Sequence, residues 1–285
     1  MKVILEFGVS EELVKKQVDE GICTLTLNRP DVLNALDTYL MRELHKALQD
    51  VAEDEDIRCV ILTGEGKGFC AGGDIRAIAK AAKDRAVASQ ERSSDKPKGS
   101  GFEKRVGWVR RSAEASRLLH EMPKPTIAMI NGACAGAGMS LAAACDFRVA
   151  GTSAKFRSAF TSGGVSGDYG GSWLWTHILG TAKARQLYLL DAKRNAKEAQ
   201  DFGLVDAVYE DEHLASEVFE MARRLARLPG EAAAYAKINL NAALMETFVT
   251  SLDRESRAMM LSRDLLAKRR KTEISEAKSE AHVGE

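Results

Sequence analysis

A strand-like apolar run followed by a glycine-rich turn occurs twice in this sequence, and this repeat limits the possible folds more than any other feature. The first copy is VILTGEGKGFCAGGDI at 60–75, and the second is IAMINGACAGAGMSLAAA at 127–144. Apolar runs that end in glycine are typical of strands that are covered on both faces in a parallel sheet. The second turn leads directly into a helical pattern. The repeat therefore predicts an α/β fold built from strand, turn and helix units.

The rest of the chain supplies further elements. The run GICTLTLN at 21–28 alternates apolar and polar residues, which predicts a strand with one buried face. A helical period begins at Asp37, and either Asp37 or Thr38 is placed to cap its N-terminus. After a short strand at 203–209, helical patterns continue to about residue 268, and the polar tail 268–285 is predicted to fray.

The charge and composition of the chain exclude several classes of partner. The 285 residues carry 41 Lys and Arg and 41 Asp and Glu, so the net charge gives no argument for nucleic acid or a membrane surface as a partner. No run approaches the ~20 apolar residues of a membrane span, and the N-terminus lacks the cleavage pattern of a signal peptide. The five cysteines are scattered without a CxxC pair, which favours reduced thiols over a metal site. We therefore expect a cytoplasmic protein that binds no metal ion.

The two glycine-rich turns are candidates for anion binding. Gly72 and Gly73 in the first turn, and Gly136 and Gly138 in the second, permit dihedrals that other residues resist and allow a ligand to approach the main chain. One N–H group from each turn could hold the same negatively charged oxygen and so form an oxyanion hole. One such donor contributes on the order of 3 kcal/mol in a site that excludes water. The alternative is that these small residues only allow strand and helix to pack closely.

A charged segment follows the first turn. Residues 83–105 are rich in Ser, Lys and Gly and show no apolar face. This composition predicts a mobile surface loop. Because the segment comes directly after the first turn, a second interpretation is a lid over the ligand of that turn, and both interpretations stay open.

Several motifs, in order from about residue 20 to 210, resemble the enoyl-CoA hydratase/isomerase family of the crotonase superfamily. They are LNRPDVLNAL (27–36), GFCAGGDI (68–75), KPTIAMINGACAGAGMSLAAACDFRVA (124–150), SAKF (153–156), GGVSGDYGGSWLWTHILGTAKARQL (163–187) and AKEAQDFGLVDAV (196–208). The resemblance implies a spiral of ββα units at 1–205 with an acyl-CoA site, and a C-terminal helical trimerisation region at 206–285. It also implies a homotrimer or a homohexamer.

The resemblance assigns roles to both turns. Members of the family hold the thioester carbonyl of an acyl-CoA with two backbone N–H groups and stabilise the enolate that forms. By motif, these donors fall on Gly73, beside Asp74, and on Ala137, beside Gly136. The turns themselves would then contact the substrate.

Coenzyme A binding is likewise assigned by the resemblance. Main-chain groups around Ala71 and Ile75 would line the adenine site, and Arg76 occupies a position where a basic side chain often meets a CoA phosphate. A guanidinium suits that task because it binds phosphate in a bidentate manner. Coenzyme A would enter as part of the substrate, and no separate cofactor is expected.

The sequence departs from the family pattern at two positions. Hydratases of the family use two glutamates to hold and activate water, and the matching positions here are Ser140 and Phe160. These residues are expected to line the acyl site, but neither can act as a carboxylate base, so the usual hydratase mechanism is in doubt.

One acid remains nearby. Asp168 in SGDYGG matches the position where several isomerases of the family carry their working acid. An alternative is that Asp168 caps the N-terminus of the following helix, which would contribute about 1 kcal/mol without any catalysis.

These observations favour an acyl-CoA enzyme that isomerises a double bond, with Asp168 moving a proton along the acyl chain. Three alternatives stay open. They are hydration with Asp168 alone or with another acid, hydrolysis of a carbon–carbon bond in a ketone or β-ketoacyl substrate, and a non-catalytic CoA-binding subunit.

Overall fold

A computed structural model of the chain describes residues 12–74 and 99–283, with only the main chain described at 99–100 and 273–283. A six-stranded sheet and a four-stranded sheet form its framework. The large sheet has the order β1 (Val14–Asp19), β2 (Ile22–Leu27), β3 (Cys59–Gly64), β5 (Thr126–Ile130), β7 (Phe147–Gly151), β10 (Ala207–Tyr209). The small sheet has the order β4 (Gly68–Cys70), β6 (Ala133–Ala135), β8 (Lys155–Arg157), β9 (Arg194–Asn195). The predicted α/β fold is confirmed.

Helices surround the large sheet. Those described are α1 (Thr38–Glu53), α2 (Gly99–Ser112), α3 (Glu114–Glu121), α4 (Ala137–Ala144), α5 (Gly171–Arg185), α6 (Ala196–Phe202), α7 (Asp211–Ala226), α8 (Gly230–Ala243) and α9 (Phe248–Val283). The main core joins α1, α3, α4 and α5 to one face of the sheet. Helix α7 covers the opposite face with Leu214, Val218 and Ala222. No helix among the described residues has the length and apolar character needed to cross a membrane.

Several elements of the structure agree with the predictions made from local sequence patterns. Strand β3 is buried along its whole length and pairs in parallel with both β2 and β5, as its continuous apolar run predicts. Helix α1 begins after Asp37, whose side chain accepts hydrogen bonds from the N–H groups of Tyr39 at 2.9 Å and Leu40 at 2.8 Å. Asp37, one of the two residues predicted for this role, is therefore the N-cap.

One hairpin was not predicted from the sequence. Strand β1 pairs antiparallel with β2 across a turn at Glu20 and Gly21, which have φ values of 49° and 73°. Two successive residues with positive φ give a tight hairpin turn whose twist matches that of the strands. Because the last five residues of β1 are exposed, its sequence carries no apolar alternation that would reveal a strand.

Two predictions about irregular segments are wrong in part. Of the predicted surface loop 83–105, residues 99–105 belong to α2, and 83–98 lie outside the described residues. The helical spacing of Phe102, Val106 and Val109 becomes visible only when the segment is followed beyond residue 105. The tail predicted to fray from residue 268 instead continues α9 to Val283, because it is rich in strong helix formers such as Ala, Glu, Lys and Arg.

The C-terminal helices are tied to the core through a buried lysine on α8. Lys237 Nζ donates to the carbonyls of Leu119 at 3.0 Å and Lys124 at 3.1 Å, and to Asp146 Oδ2 at 2.8 Å. A buried ammonium with three oxygen partners is costly to disrupt, so this contact fixes α8 against α3 and β5. The division at residue 205 stays a prediction, and the chain beyond it adds β10 to the large sheet before its helices begin.

Candidate active site

The small sheet brings the two glycine-rich turns together. Strands β4 and β6 pair in parallel, with Cys70 opposite Cys134, so both strands end at the same edge and both turns leave from it. A Cβ placed on Gly72 would lie 3.4 Å from Ala137 N and 2.9 Å from Ala135 O. Gly72 also has a φ of 94°, so only glycine fits there without strain. The contact between the turns thus depends on this residue.

Each turn has one backbone N–H group, that of Gly73 or Ala137, for which the described chain supplies no acceptor. Leu36 N donates to Gly72 O at 2.7 Å and Asp74 N donates to Leu36 O at 3.0 Å. Since successive N–H groups of an extended chain point to opposite sides, the Gly73 N–H points away from Leu36. Ala137 is the first residue of α4, where N–H groups have no partner within the helix. In the described chain neither N–H has a hydrogen-bond acceptor, so both are unoccupied as donors.

An arginine fixes the first turn. Arg29 Nη2 donates to Asp74 Oδ2 at 3.0 Å, and Nη1 donates to Ala35 O at 2.6 Å and lies 3.3 Å from Asp37 Oδ2. Asp74, predicted to contact substrate, thus uses its carboxylate in this ion pair. Ala71 donates its N–H to Leu33 O at 2.9 Å, which fixes the strand end beside it. The predicted Ile75 and Arg76 positions lie outside the described residues.

The second turn borders Ser140 and Phe160, the two positions predicted to match the glutamates of family hydratases. A Cβ on Gly136 would lie 3.9 Å from Phe160 Cε1. Phe160 is buried, and its ring stacks on that of Tyr188 with 5.7 Å between centroids and 12° between planes. Ser140 is fully buried on α4, and its hydroxyl donates to the Asp168 carbonyl at 3.1 Å. The structure therefore brings Gly136, Ser140, Phe160 and Asp168 together.

The Asp168 carboxyl group does not cap a helix. The N-cap of α5 is Gly170, and no side chain accepts a hydrogen bond from the first turn of that helix. Asp168 contributes to the start of this helix through its main-chain carbonyl, which accepts a hydrogen bond from Gly171 N at 3.0 Å. The carboxyl atom Oδ1 is closed off from solvent and has no hydrogen-bond partner among the described residues. Burial raises the pKa of this carboxyl from 3.8 to about 6.

A second aspartate on the same side of the molecule has the opposite environment. Asp191 Oδ1 accepts from Ser158 Oγ at 2.8 Å and from Ala159 N at 2.7 Å, and Arg157 Nη2 lies 3.0 Å from Oδ2. Burial opposes its ionisation, but hydrogen bonds from Ser162, Ala159 and Ser158 and the Arg157 charge hold the pKa of Asp191 below its usual value. Ala159 has a φ of 56°. Asp191 thus holds the strained turn that orients Phe160.

Sequence reasoning missed Arg29, Tyr188 and Asp191. The Asp191 contacts join residues 32 to 34 positions apart, and the Arg29 contact to Asp74 spans 45 positions. A local motif cannot reveal such pairs. For Tyr188 the only available signal is its place in the apolar run QLYLL after α5, which is typical of a residue that packs in a core.

The opposite environments of the two aspartates predict opposite effects of neutralisation on stability. The folded chain keeps the Asp168 proton up to a pKa of about 6, whereas the ordinary value is 3.8. Stability attributable to this group therefore falls as pH rises from 3.8 to 6. Asp168→Asn removes the buried charge, so we expect it to be more stable than the unchanged protein at pH 7, by on the order of 2 kcal/mol, with the gain shrinking toward pH 4.

Asp191→Asn is the matched control for this measurement. Its lowered pKa means that ionised Asp191 stabilises the fold at neutral pH and loses this effect as pH falls through the folded-state value, so its replacement is destabilising at pH 7. Denaturant midpoints of the three proteins across this pH range check both signs. A gain for Asp168→Asn that does not depend on pH would contradict the assigned titration.

Comparison with known proteins identifies the family of the chain. The family described as enoyl-CoA hydratase/isomerase matches residues 22–281. The 1,2-epoxyphenylacetyl-CoA isomerase of Escherichia coli is 36% identical over 86% of this chain and 87% of its own length. The peroxisomal Delta(3,5)-Delta(2,4)-dienoyl-CoA isomerase of Arabidopsis thaliana is 32% identical over 70% of this chain and 69% of its own.

Solved structures show the same fold. The crystal structure of an enoyl-CoA hydratase from Bacillus anthracis superimposes with a TM-score of 0.77 and 27% identity, and the match covers 87% of this chain and 90% of that one. The names of these relatives include both isomerases and a hydratase. The chain therefore belongs to the enoyl-CoA hydratase/isomerase family of the crotonase superfamily, a family of acyl-CoA-processing enzymes.

Proposed function

We propose that this protein isomerises the double bond of an enoyl-CoA. The N–H groups of Gly73 and Ala137 hold the thioester oxygen. Asp168 in its ionised form removes a proton from C2 of a 3-enoyl-CoA, and the electron pair of that C–H bond delocalises to the thioester oxygen as a dienolate. The protonated Asp168 then returns the proton at C4, which gives the 2-enoyl-CoA. Atoms and charge balance, and no water or separate cofactor is consumed.

The environment of Asp168 is the observation that carries this proposal. A proton shuttle must act first as base and then as acid, so a pKa near the working pH serves both steps. Burial supplies this by raising the Asp168 pKa to about 6. An Asp that only capped a helix would be hydrogen-bonded and ionised, whereas Oδ1 has no partner in the described structure.

Isomerisation is favoured over hydration because of the two positions beside Asp168. Hydration needs groups that hold water and move two protons, and Phe160 offers none. The Ser140 hydroxyl is already donated to the Asp168 carbonyl. The relative named 1,2-epoxyphenylacetyl-CoA isomerase, at 36% identity, also supports an isomerase. Hydration and carbon–carbon bond hydrolysis are the competing reactions that an assay must exclude.

The first test removes the proposed acid and base. Asp168→Asn should lower the turnover of 3-hexenoyl-CoA to 2-hexenoyl-CoA by ~10²–10⁴-fold, because general acid–base catalysis contributes about that much. In the unchanged protein kcat/KM should rise with pH through about 6, since the base form of Asp168 reacts. Formation of the conjugated thioester is followed by absorbance. Exposed Asp201→Asn is the matched control.

Retained turnover in Asp168→Asn would remove Asp168 from the mechanism. Addition of water to crotonyl-CoA at a comparable rate would show a hydratase, and release of a ring-opened acid from a cyclic β-ketoacyl-CoA would show a hydrolase. Binding of acyl-CoA without turnover of any of these thioesters would show a non-catalytic subunit.

The second test removes one oxyanion donor. Proline has no N–H, and a helix tolerates proline at its first position, which Ala137 occupies in α4. Ala137→Pro should lower kcat by ~10²–10³-fold through loss of the hydrogen bond to the enolate. Ala137→Gly keeps the N–H and is the control. Equal losses in both variants would mean that side-chain packing, and not the donor, matters at this position.

We also propose that copies of the chain associate through the C-terminal helices as a homotrimer or homohexamer. Leu240, Met245, Phe248 and Val249 are 71%, 75%, 77% and 68% exposed. A cluster of large apolar side chains at the α8–α9 junction is typical of a surface that another subunit covers. Coenzyme A would bind along Ala71, Ile75 and Arg76 of each subunit.

Phe248→Asp should therefore reduce the mass measured by light scattering to that of a smaller species, because a charge in the interface is costly to bury. Val18→Asp, at an exposed residue of the edge strand β1, is the control and should leave the mass unchanged. A monomeric unchanged protein would refute the proposed assembly.

A further inference from the structure

Tyr188 borders the peptide segment that carries Asp168. It lies in the helical turn Gln186–Leu190 that directly follows α5. Its ring stacks on Phe160, and a Cβ placed on Gly167 would lie 3.1 Å from Tyr188 Cε1. Because Gly167 immediately precedes Asp168, the ring fixes one side of the space around that carboxyl group.

Tyr188, whose ring contacts Gly167, and Asp168, which follows Gly167 in the chain, each carry a buried polar atom without a hydrogen-bond partner in the described structure. Tyr188 Oη and Asp168 Oδ1 are both closed off from solvent, and neither has a hydrogen-bond partner among the described residues. One is a donor, and the other is an acceptor when ionised. A Cβ on Gly171 would lie 2.2 Å from Ser140 Oγ and 2.6 Å from Tyr188 Oη, which places both hydroxyls at the start of α5. The Ser140 hydroxyl donates to the Asp168 carbonyl, so its oxygen is the competing acceptor for the Tyr188 hydroxyl. Burial raises the pKa of Tyr188, and the Ser140 hydroxyl opposes this larger effect by lowering that pKa.

The other groups that face Asp168 cannot balance its charge. In the described chain its charge acts on Cys70 from β4, on the adjoining Tyr169 and on Tyr188. Burial raises the pKa of each of these three groups, so all three are uncharged at neutral pH. A buried carboxylate without a cation can ionise only if a hydrogen-bond donor stabilises the charged form. A buried unpartnered donor in native structure calls for such a role.

We infer that Tyr188 is a positioning residue whose hydroxyl donates a hydrogen bond to Asp168 Oδ1 whenever that carboxylate is ionised. The inference rests on the proposed function, in which Asp168 must reach the ionised form to act as base. Tyr188 keeps its own proton throughout, and Oδ2 takes the proton from C2. When Asp168 is protonated the bond is released, and the structure shows Tyr188 Oη and Asp168 Oδ1 without a bond between them. The bond therefore both orients Oδ2 and limits how far burial lowers the acid dissociation constant of Asp168.

Tyr188→Phe tests the inference because it keeps the ring that stacks on Phe160 and removes only the hydroxyl. The titration of Asp168 is followed by NMR of carboxyl-labelled aspartate, with Asp168→Asn identifying the signal. The acid dissociation constant of Asp168 should fall by about tenfold or more, since a hydrogen bond to a charged group is lost. The pH profile of kcat/KM should shift upward by the same amount. Exposed Tyr39→Phe is the matched control and should shift neither.

Ser140→Ala separates this role from a structural one. If Tyr188 acts only by bonding to Ser140, both variants shift the Asp168 titration equally, and the inference is overturned. An unchanged titration in Tyr188→Phe overturns it as well, and a much smaller shift in Ser140→Ala than in Tyr188→Phe supports it. Since the titration is measured without turnover, an altered titration combined with full activity of Asp168→Asn would refute the proposed function alone.

Discussion

The parallel pairing of β4 with β6 is the contact on which the rest of the site depends. Each strand has three residues and leads directly into a glycine-rich turn. A Cβ on Gly138 would lie 2.2 Å from Cys70 O, so α4 can approach β4 only because residue 138 is glycine. This close packing is what places the N-terminus of α4 beside the first turn. Close packing, one of the two alternatives that the sequence presents, is therefore observed, and the proposed anion binding would depend on the same arrangement.

Two carboxyl groups in opposite environments, those of Asp191 and Asp168, lie at the start and at the end of the loop that connects β8 to α5. At its start, Asp191 accepts hydrogen bonds from Ser158 and Ala159 and stabilises a backbone with positive φ. At its end, Asp168 Oδ1 has no partner in the described chain, and burial disfavours its charge. The hydrogen bonds to the Asp191 carboxylate thus offset the cost of burying the unpartnered Asp168 carboxyl group. A stabilising carboxylate beside a destabilised one is expected where activity needs a perturbed pKa, as the role proposed for Asp168 does.

The features that could be predicted from the sequence are those that depend on residues close together in the chain. The buried strand β3, the Asp37 cap and the two turns each depend on residues within a few positions, so their patterns were sufficient. The proximity of Asp168, Ser140 and Phe160 followed from family resemblance and not from periodicity. The Arg29–Asp74 contact and the position of Tyr188 arise only when distant segments pack, and no local pattern carries that information. The polar β1 was missed because an exposed edge strand needs no apolar residues.

The electrostatics of the described site are compatible with the proposed use of one acid for both proton transfers. The groups available for the thioester oxygen are N–H dipoles, whose strength does not change with pH. The nearby Arg29 is already paired with Asp37 and Asp74 and so contributes little net charge to the pocket. A cation beside Asp168 would hold it ionised and make the return of the proton unfavourable. The proposed donors, two N–H groups for the oxyanion and the Tyr188 phenol for Asp168, are instead uncharged, so they would leave the carboxyl group free to alternate between its two forms.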